Sequence, residues 1–350
     1  MALDDADVGA GTDELSRTYC LAEDREDTGL RFVIASLRRH CPATPMTIYR
    51  HEPSSEFADW IARRPGVTLV SRRPEGAESW NCKPHTLIPL LEGEFEEAVW
   101  LDSDILVTRD PSSLFEGLPG NVLVAAEEAP NMPHQGTEPR TRGWGLPIGR
   151  SLPHTINSCV LRVTRAHLPL LRRWRELLDD PKYRDAQRRP FSERLLHHMS
   201  DQDVLNALVG SAEFSGYEIR YLRGGVDVLH SGGSAGYSLR LRGRGLFRRT
   251  PTFLHAIAGK PWSIFTEEYQ RAHPLRYTKL RRLLQEVSPY VREACKYRED
   301  VGVDCPWIDA RSPLGVGLRI IGLGHFALRG LPLAAAAQAI TLVRKNREAL

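Results

Sequence analysis

Residues 98–107 read Ala-Val-Trp-Leu-Asp-Ser-Asp-Ile-Leu-Val, so an apolar run ends on two carboxylates, Asp102 and Asp104, and a second apolar run follows at once. In an α/β protein, such a run is typical of a buried parallel strand, whose carboxyl end is where ligands bind. Two acids at that point repel each other and lose hydration, so their charge has to be offset. A divalent cation bound to a phosphate would offset it; an acidic turn that simply follows a strand is the alternative.

Strand-like and helix-like segments alternate on both sides of this stretch. The predicted strands are residues 18–22, 46–49, 67–70, 97–101, 122–126, 157–163, 218–222 and 252–254. The predicted helices are residues 30–40, 56–63, 83–91, 168–178 and 201–208. We expect Ser200 to be the N-cap of the last of these helices. The alternation is the signature of a parallel, doubly wound sheet, so we expect an α/β fold with a site between the tips of the first and fourth strands.

Segments without periodicity define the remaining organisation of the chain. Residues 129–155 and 224–245 are rich in glycine and arginine, so we expect long loops that bind a ligand or move. We predict a disordered tail over residues 1–16, one large α/β domain over residues 17–265 and a helical C-terminal extension over residues 266–350.

The composition is that of a globular protein. The 350 residues carry a formal net charge of +3, which is too small to imply a nucleic-acid partner. The six cysteines form no Cys-x-x-Cys pair, so we expect reduced thiols and a cytoplasmic location. We find no signal peptide and no apolar run of about 20 residues. Residues 314–343 are interrupted by charges and are expected to form a packed or interfacial helix pair.

Four features carry chemistry when they are taken together: Asp102-x-Asp104, Asn157, Asp201-Gln202-Asp203, and His255 with Gly259-Lys260-Pro261-Trp262. Each has an ordinary structural explanation. A histidine after a strand is commonly a core residue, acids at a helix start serve the helix dipole, and Lys-Pro-Trp is typical of a surface turn. Their occurrence in this order along a strand–helix pattern is much less expected by chance.

In this order, the motifs resemble those of the nucleotide-sugar-dependent glycosyltransferases of the GT-A fold. The closest resemblance is to family eight, a retaining group that includes glycogenin and bacterial lipooligosaccharide galactosyltransferases. Residues 101–104 resemble its DxD motif, 157–159 its Asn-x-Gly strand, 201–206 its Asp-Gln-Asp-x-Leu-Asn helix, and 255–262 its His-x-x-Gly-x-x-Lys-Pro-Trp motif. The resemblance implies a Rossmann-like, mixed, mostly parallel sheet flanked by helices.

The resemblance also implies roles for individual residues. Asp102, Asp104 and His255 would bind Mn²⁺ or Mg²⁺ at the diphosphate of a nucleoside-diphosphate-sugar donor. Carboxylate and imidazole ligands suit manganese, and the ion would act as a Lewis acid on the leaving nucleoside diphosphate. Lys83 and Lys260 would contact the same diphosphate as point charges.

Four further residues complete the implied donor site. Glu23 lies where the family reads the nucleotide base, which favours a UDP-sugar. Ser103, Asn157 and Gly259 belong to the matched motifs and are expected to contact the donor.

The helix that begins at Asp201 would face the donor sugar. Asp201 would hold the sugar hydroxyls, and Gln202 would face the anomeric carbon opposite the leaving group. An amide is too weak a nucleophile for a double displacement, so the resemblance implies front-face substitution with retention of configuration.

The chain departs from the family pattern at two positions. Cys159 stands where the family has glycine, which alters a close backbone approach to the donor. One residue fewer separates His255 from Lys260. A third histidine, His230, is expected to be structural, with an acceptor contact as the alternative.

Two other functions compete with glycosyl transfer. A nucleotidyltransferase would need a glycine-rich phosphate loop after the first strand, and residues 22–28 contain none. A non-catalytic or hydrolytic sugar-nucleotide-binding protein would need a decayed site, but all three metal ligands are present. The acceptor is left open among saccharide, lipid-linked glycan, peptide and small natural product. A peripheral contact of the basic C-terminal helices with the inner membrane face is also left open.

Overall fold

The computed structural model describes residues 16–23, 25–73, 76, 79–129, 136–231, 238–257, 260–322, 324–336 and 338–339. All of the predicted tail except Ser16 lies outside these residues, and so does Gly259.

The elements of the described residues follow the predicted alternation closely. The strands are β1 (Arg17–Glu23), β2 (Met46–Arg50), β3 (Val67–Val70), β4 (Glu97–Leu101), β5 (Ile105–Val107), β6 (Val122–Glu127), β7 (Ile156–Thr164), β8 (Glu218–Leu222), β9 (Val228–His230) and β10 (Phe253–His255). The helices are α1 (Thr28–His40), α2 (Ser55–Ala62), α3 (Lys83–Glu92), α4 (Glu138–Gly143), α5 (Leu168–Asp179), α6 (Pro181–Gln187), α7 (Asp201–Val209), α8 (Leu239–Gly245), α9 (Pro261–Ile264), α10 (Glu267–Ala272), α11 (Leu275–Glu286), α12 (Pro289–Ala294), α13 (Arg298–Val301), α14 (Pro306–Asp309) and α15 (Pro313–Ile321).

Seven of these strands form one mixed sheet in the order β3-β2-β1-β4-β7-β6-β8. Only β7 runs antiparallel to its neighbours, β4 and β6; the other four pairings are parallel. A small second sheet has the order β5-β10-β9. The expected α/β fold with a mostly parallel, mixed sheet is confirmed.

Alternate residues of β1 face two different helical layers. Tyr19 and Leu21 pack into a core with residues of α1 and α2, whereas Cys20 packs with residues of α3, α5 and α7. Side chains of a strand alternate between its faces, so helices cover both faces of the sheet.

One side of α1 packs against the large sheet, and the C-terminal helices pack on another side of α1 and on the small sheet. The rings of Phe32 and Trp307 meet edge-on at 5.1 Å, and the Tyr297 hydroxyl donates to the Val107 carbonyl at 3.0 Å. The predicted helical extension is therefore in contact with the sheet domain. The domain boundaries themselves stay predictions. Among the described residues, no helix has the length and apolar character needed to cross a membrane.

Both segments predicted as loops contain regular structure. Residues 129–155 include α4, and residues 224–245 include β9 and α8. Neither α4 nor α8 has a strong apolar repeat, so local pattern could not reveal them. Their backbone order comes from tertiary partners: within α4, the Arg140 Nε donates to Asp203 Oδ1 at 2.7 Å, and both side chains are buried.

Ser200 is the N-cap residue of α7, as predicted, but it lacks a side-chain cap. Ser200 precedes α7 as expected, but its side chain makes no hydrogen bond to the helix amides. Its hydroxyl instead donates to Asp203 Oδ2 at 2.6 Å. The Asp203 carboxylate is a strong acceptor one turn away, so the Ser200 side chain is turned toward it.

A fully buried ion pair joins the middle strands. The Arg162 side chain in β7 donates from Nε to Glu97 Oε2 of β4 at 2.6 Å and from a terminal nitrogen to the Val122 carbonyl of β6 at 2.7 Å. The side chains of Arg162 and Glu97 have no exposed surface. Arg17 of β1 pairs with the other oxygen of Glu97.

Replacing Arg162 with leucine should lower the free energy of unfolding by about 3–5 kcal/mol, because Glu97 would keep a buried charge without its main partner. Urea denaturation measures the change. The matched control is Arg172→Leu, which removes an exposed pair with Glu92 and should cost less than about 1 kcal/mol. Equal losses in the two variants would contradict a special role for the buried pair.

Candidate functional site

A cavity of about 620 Å³ lies at the carboxyl ends of β1 and β4. The residues predicted for the site that line it are Glu23, Lys83, Asp102, Ser103, Asp104, Asn157, Asp201, Gln202, His255 and Lys260. The structure thus brings together every predicted site residue except Gly259, which lies outside the described residues. Their individual roles stay predictions.

The cavity forms where the sequence pattern places two strand ends side by side. β1 and β4 are parallel neighbours, and the Ser103 hydroxyl donates to Glu23 Oε2 at 2.7 Å. Gly29, at the start of α1, makes this approach possible. A Cβ at Gly29 would lie 2.5 Å from the Ser103 carbonyl oxygen and 2.9 Å from the Trp262 ring, so any larger residue would push the acidic turn and the Trp262 segment apart.

Asp104 is the buried member of the carboxylate pair, with 1% of its surface exposed. His255 Nε2 lies 3.3 Å from its Oδ2, and the Lys260 ammonium contacts the same oxygen. Burial alone would raise the pKa of Asp104, but Lys260 and His255 outweigh it and hold that pKa below its ordinary range. In return, Asp104 overcomes the effect of burial on Lys260 and raises the pKa of its ammonium. The carboxylate is therefore ionised and ready to bind a cation.

The second carboxylate, Asp102, faces Lys83 on the other side of the turn. Lys83 begins α3 and is 3% exposed; its ammonium donates to Asp201 at 2.9 Å and to Ser158 at 2.6 Å, and lies 3.3 Å from Asp102. Burial lowers the pKa of Lys83, but the carboxylates of Asp102 and Asp201 outweigh it and raise that pKa. The side chain that was predicted to contact a diphosphate is thus engaged with protein acceptors.

Asp201 begins α7 and is also buried. Burial raises the pKa of its carboxyl group above the ordinary value, although Lys83 acts in the opposite direction. Asn206, one turn later, fastens the helix to β7: its amide donates to the Ile156 carbonyl at 2.9 Å and accepts from the Ile156 amide at 2.8 Å. This double hydrogen bond holds Asp201 and Gln202 at the cavity.

Glu128 is a site residue that the sequence analysis did not single out. It follows β6 directly, is 5% exposed and lines the cavity. Its carboxylate accepts hydrogen bonds from the Asn157 amide at 3.1 Å and from the Gln202 amide nitrogen at 2.7 Å. The sequence signal for this residue was the pair of acids, Glu127 and Glu128, at the end of a predicted strand. The sheet places this strand end beside β7, which carries Asn157.

His230 fixes the proton positions on His255. His230 Nε2 lies 2.9 Å from the Glu127 carbonyl, which can only accept, so this nitrogen carries a proton. The two Nδ1 atoms lie too close to carry a proton each, and burial, which lowers the pKa of His230, disfavours its charged form, so His230 Nδ1 accepts. His255 Nδ1, 2.9 Å away, is therefore the donor, and His255 Nε2 is the nitrogen directed at Asp104.

The donor set suits a hard divalent ion. Asp102, Asp104 and His255 can each offer one ligand atom, and these atoms all lie within 4.8 Å of one another. Two carboxylate oxygens and one imidazole nitrogen fit Mn²⁺ or Mg²⁺. Such an ion would take over from Lys260 the task of balancing the Asp104 charge, and His255 would bind it as a neutral imidazole.

No family model and no curated protein matches the chain. Among solved structures, the bifunctional glycosyltransferase WbbM is 13% identical with a TM-score of 0.46, over 71% of this chain and 47% of its own. GlyE of Streptococcus pneumoniae TIGR4 is 17% identical with a TM-score of 0.44, over 82% and 64%. The galactosyltransferase LgtC, in complex with donor and acceptor sugar analogues, is 16% identical with a TM-score of 0.45, over 81% and 99%.

These solved structures are glycosyltransferases, the class of protein that the sequence motifs resemble. The chain spans less than two thirds of the length of WbbM and of GlyE. At TM-scores below 0.5 and these identities, the likeness by itself assigns neither a family nor an activity.

Replacing Lys83 with methionine should lower the free energy of unfolding by about 3–5 kcal/mol at pH 8, because the buried carboxylate of Asp201 and the partly exposed carboxylate of Asp102 lose their shared ammonium. The loss should shrink at pH 5. Without Lys83 the pKa of Asp201 rises further above that of the unfolded chain, so the folded protein binds more protons and gains stability as the pH falls.

Denaturation at both pH values measures this effect, with Lys182→Met on exposed α6 as the matched control. A loss that is the same at pH 8 and pH 5 would mean that Lys83 contributes packing and not charge.

Proposed function

We propose that this protein is a metal-dependent glycosyltransferase that moves a sugar from a nucleoside-diphosphate sugar, a UDP-sugar, to an acceptor hydroxyl with retention of configuration. One observation carries the proposal: the Asp102–Asp104 pair, His255, Lys260 and the start of α7 line the same cavity. These elements come from distant parts of the sequence, and each has the chemistry that a diphosphate-linked sugar requires.

The carboxylate side of the cavity would hold the donor diphosphate. Asp102, Asp104 and His255 would bind Mn²⁺ or Mg²⁺, which supplies Lewis acidity toward the leaving nucleoside diphosphate. Lys260 already contacts Asp104, and a phosphate oxygen would compete with that carboxylate for its ammonium. A fixed positive charge there would stabilise the charge that develops on the leaving group.

The start of α7 would bind the sugar. Asp201 would accept hydrogen bonds from sugar hydroxyls, and Lys83 would keep its carboxylate in place. The Gln202 amide nitrogen donates to the Glu128 carboxylate, so the amide oxygen is the end that is directed away from this carboxylate. The amide oxygen would then stabilise positive charge at the anomeric carbon without forming a stable covalent bond, which favours attack on the face that the diphosphate leaves.

Glu23 and Ser103 support a uracil base in the donor, because their linked polar groups lie at the end of β1 beside the cavity. The acceptor class stays open among a saccharide, a lipid-linked glycan, a peptide and a small natural product. Cytoplasmic location and a peripheral membrane contact stay proposals; the exposed apolar side chains of Leu314, Ile320 and Ile321 on α15 support the latter.

The wild-type protein is mixed with Mn²⁺ and a UDP, GDP or TDP sugar, and its melting temperature is measured. We expect the melting temperature to rise only with the sugar nucleotide that is the donor. At a ligand concentration about one hundred times Kd, the stabilisation is about 2.7 kcal/mol. Asp104→Ala should abolish the Mn²⁺-dependent part of this shift, because it removes the buried oxygen ligand.

Asp59→Ala, on the exposed face of α2, is the matched control and should keep the whole shift. If the Mn²⁺-dependent shift survives in Asp104→Ala, the proposed metal site is wrong. Binding without any turnover would favour a non-catalytic sugar-nucleotide-binding protein.

Gln202→Ala should lower kcat by about 10²–10³-fold with little change in KM for the donor, because its amide oxygen is expected to act mainly on charge in the transition state. Steady-state kinetics of donor turnover measures this. Gln270→Ala, at an exposed position of α10, is the control.

The product of the wild-type protein should have the same anomeric configuration as the donor, which NMR of the product measures. An inverted product would exclude front-face substitution.

A further inference from the structure

The His255 ring belongs to two chemically different groups of candidate ligands. Its Nε2 faces Asp104 at 3.3 Å, on the carboxylate side. Its Nδ1 faces His230 Nδ1 at 2.9 Å, on the opposite side. Cys159, His230 and His255 can each offer one ligand atom, and these atoms all lie within 4.8 Å of one another. All three residues are buried.

A sulfur and two imidazole nitrogens form a softer donor set than the carboxylate pair. Thiolate and imidazole are the ligands that Zn²⁺ takes in proteins, and three such ligands with one open position are common at zinc sites. Mn²⁺ and Mg²⁺ prefer oxygen and bind such a set more weakly than Zn²⁺ does. The two groups that share His255 therefore favour different ions.

A metal ion between the two Nδ1 atoms would displace the proton that His255 Nδ1 donates to His230, and the groups on the far side of each ring suit this binding. His230 Nε2 donates to the Glu127 carbonyl, and His255 Nε2 lies against the Asp104 carboxylate. A ligating histidine usually directs its other N–H to such an acceptor, which orients the ring. Zn–N bonds of about 2.0–2.1 Å in tetrahedral geometry require about 3.3 Å between the two nitrogens, so the rings need to separate by about 0.4 Å.

We propose that Cys159, His230 and His255 form a second metal site, which binds Zn²⁺ through the cysteine sulfur and the two Nδ1 atoms. Of the three residues, His255 also lines the cavity. The Cys159 position is a glycine in the motif that this strand resembles, so the sulfur ligand is a feature of this chain.

The second site competes with the first because they share one ring. A neutral imidazole has one lone pair on its nitrogens, so a ring that ligates through Nδ1 carries its proton on Nε2. That proton is donated to Asp104, and His255 is lost as a ligand on the carboxylate side. Zn²⁺ therefore weakens Mn²⁺ binding. This antagonism rests on the proposed function, whereas the cysteine–histidine site does not.

Co²⁺ is the spectroscopic probe for this site, because cobalt bound to thiolate has a charge-transfer band in the near ultraviolet. Titration of the metal-free, full-length protein should produce this band, and Cys159→Ser should abolish it. Cys159→Ser should also weaken Zn²⁺ binding by more than about 100-fold, the upper range for loss of an outer-shell partner. The control is Cys295→Ser, which removes an exposed cysteine that is not one of the three ligands and should change neither result.

Asp102→Asn separates the two sites. It should retain the cobalt–thiolate band and lose Mn²⁺ binding measured by electron paramagnetic resonance. In the wild type, Zn²⁺ should raise the Kd for Mn²⁺, and in Cys159→Ser this competition should be strongly reduced. Thermal unfolding verifies that each variant is folded, and Cys159→Ala serves as a second variant if the serine does not fold.

Three outcomes would overturn the second site: no thiolate band in the wild type, a band that persists in both Cys159 variants, or a band that also requires Asp102. In the last case the sulfur would be a ligand of the carboxylate-bound ion. If the wild type binds no Mn²⁺ while the band forms and depends on Cys159, the proposed function fails and the zinc site stands.

Discussion

The arrangement of this molecule depends on one buried ammonium group. Lys83, at the first residue of α3, lies between Asp102 after β4 and Asp201 at the start of α7. Two carboxylates from different elements would otherwise face each other in a region with little water, at a cost of several kcal/mol. The ammonium lets the strand end and the helix start approach, and their approach forms the wall of the cavity.

Charge is distributed around the cavity in two linked groups. Lys83 serves Asp102 and Asp201, whereas Lys260 and His255 serve Asp104. Lys83 is enclosed by protein acceptors, but Lys260 is more exposed and contacts Asp104, a carboxylate that a metal ion could also bind. The first group is thus built to hold structure and the second to exchange partners. His255 adds a further choice, because each of its nitrogens faces a different set of ligands.

Local sequence pattern predicted most of the framework. The periodic segments correspond to β1, α1, α5 and their neighbours, with small differences in where the elements begin and end. The predicted helix α3 is present although it contains an internal proline. α4, α8 and β9 were missed because their residues have no apolar repeat; buried partners such as Asp203 for Arg140 order them. Ser200 was predicted correctly as the residue before α7. Its hydroxyl, however, donates to the nearby Asp203 carboxylate, and its side chain makes no hydrogen bond to the helix amides.

The sequence by itself determined the residue types of the site and the strand ends that carry them, because strand periodicity and order along the chain are local properties. Only the tertiary structure decided which of these side chains are paired. Glu128 joins Asn157 and Gln202, and His230 orients His255, through contacts between residues that are 25 to 74 positions apart. Burial, proton position and charge balance depend on all neighbours in space, and no pattern along one strand or helix contains them.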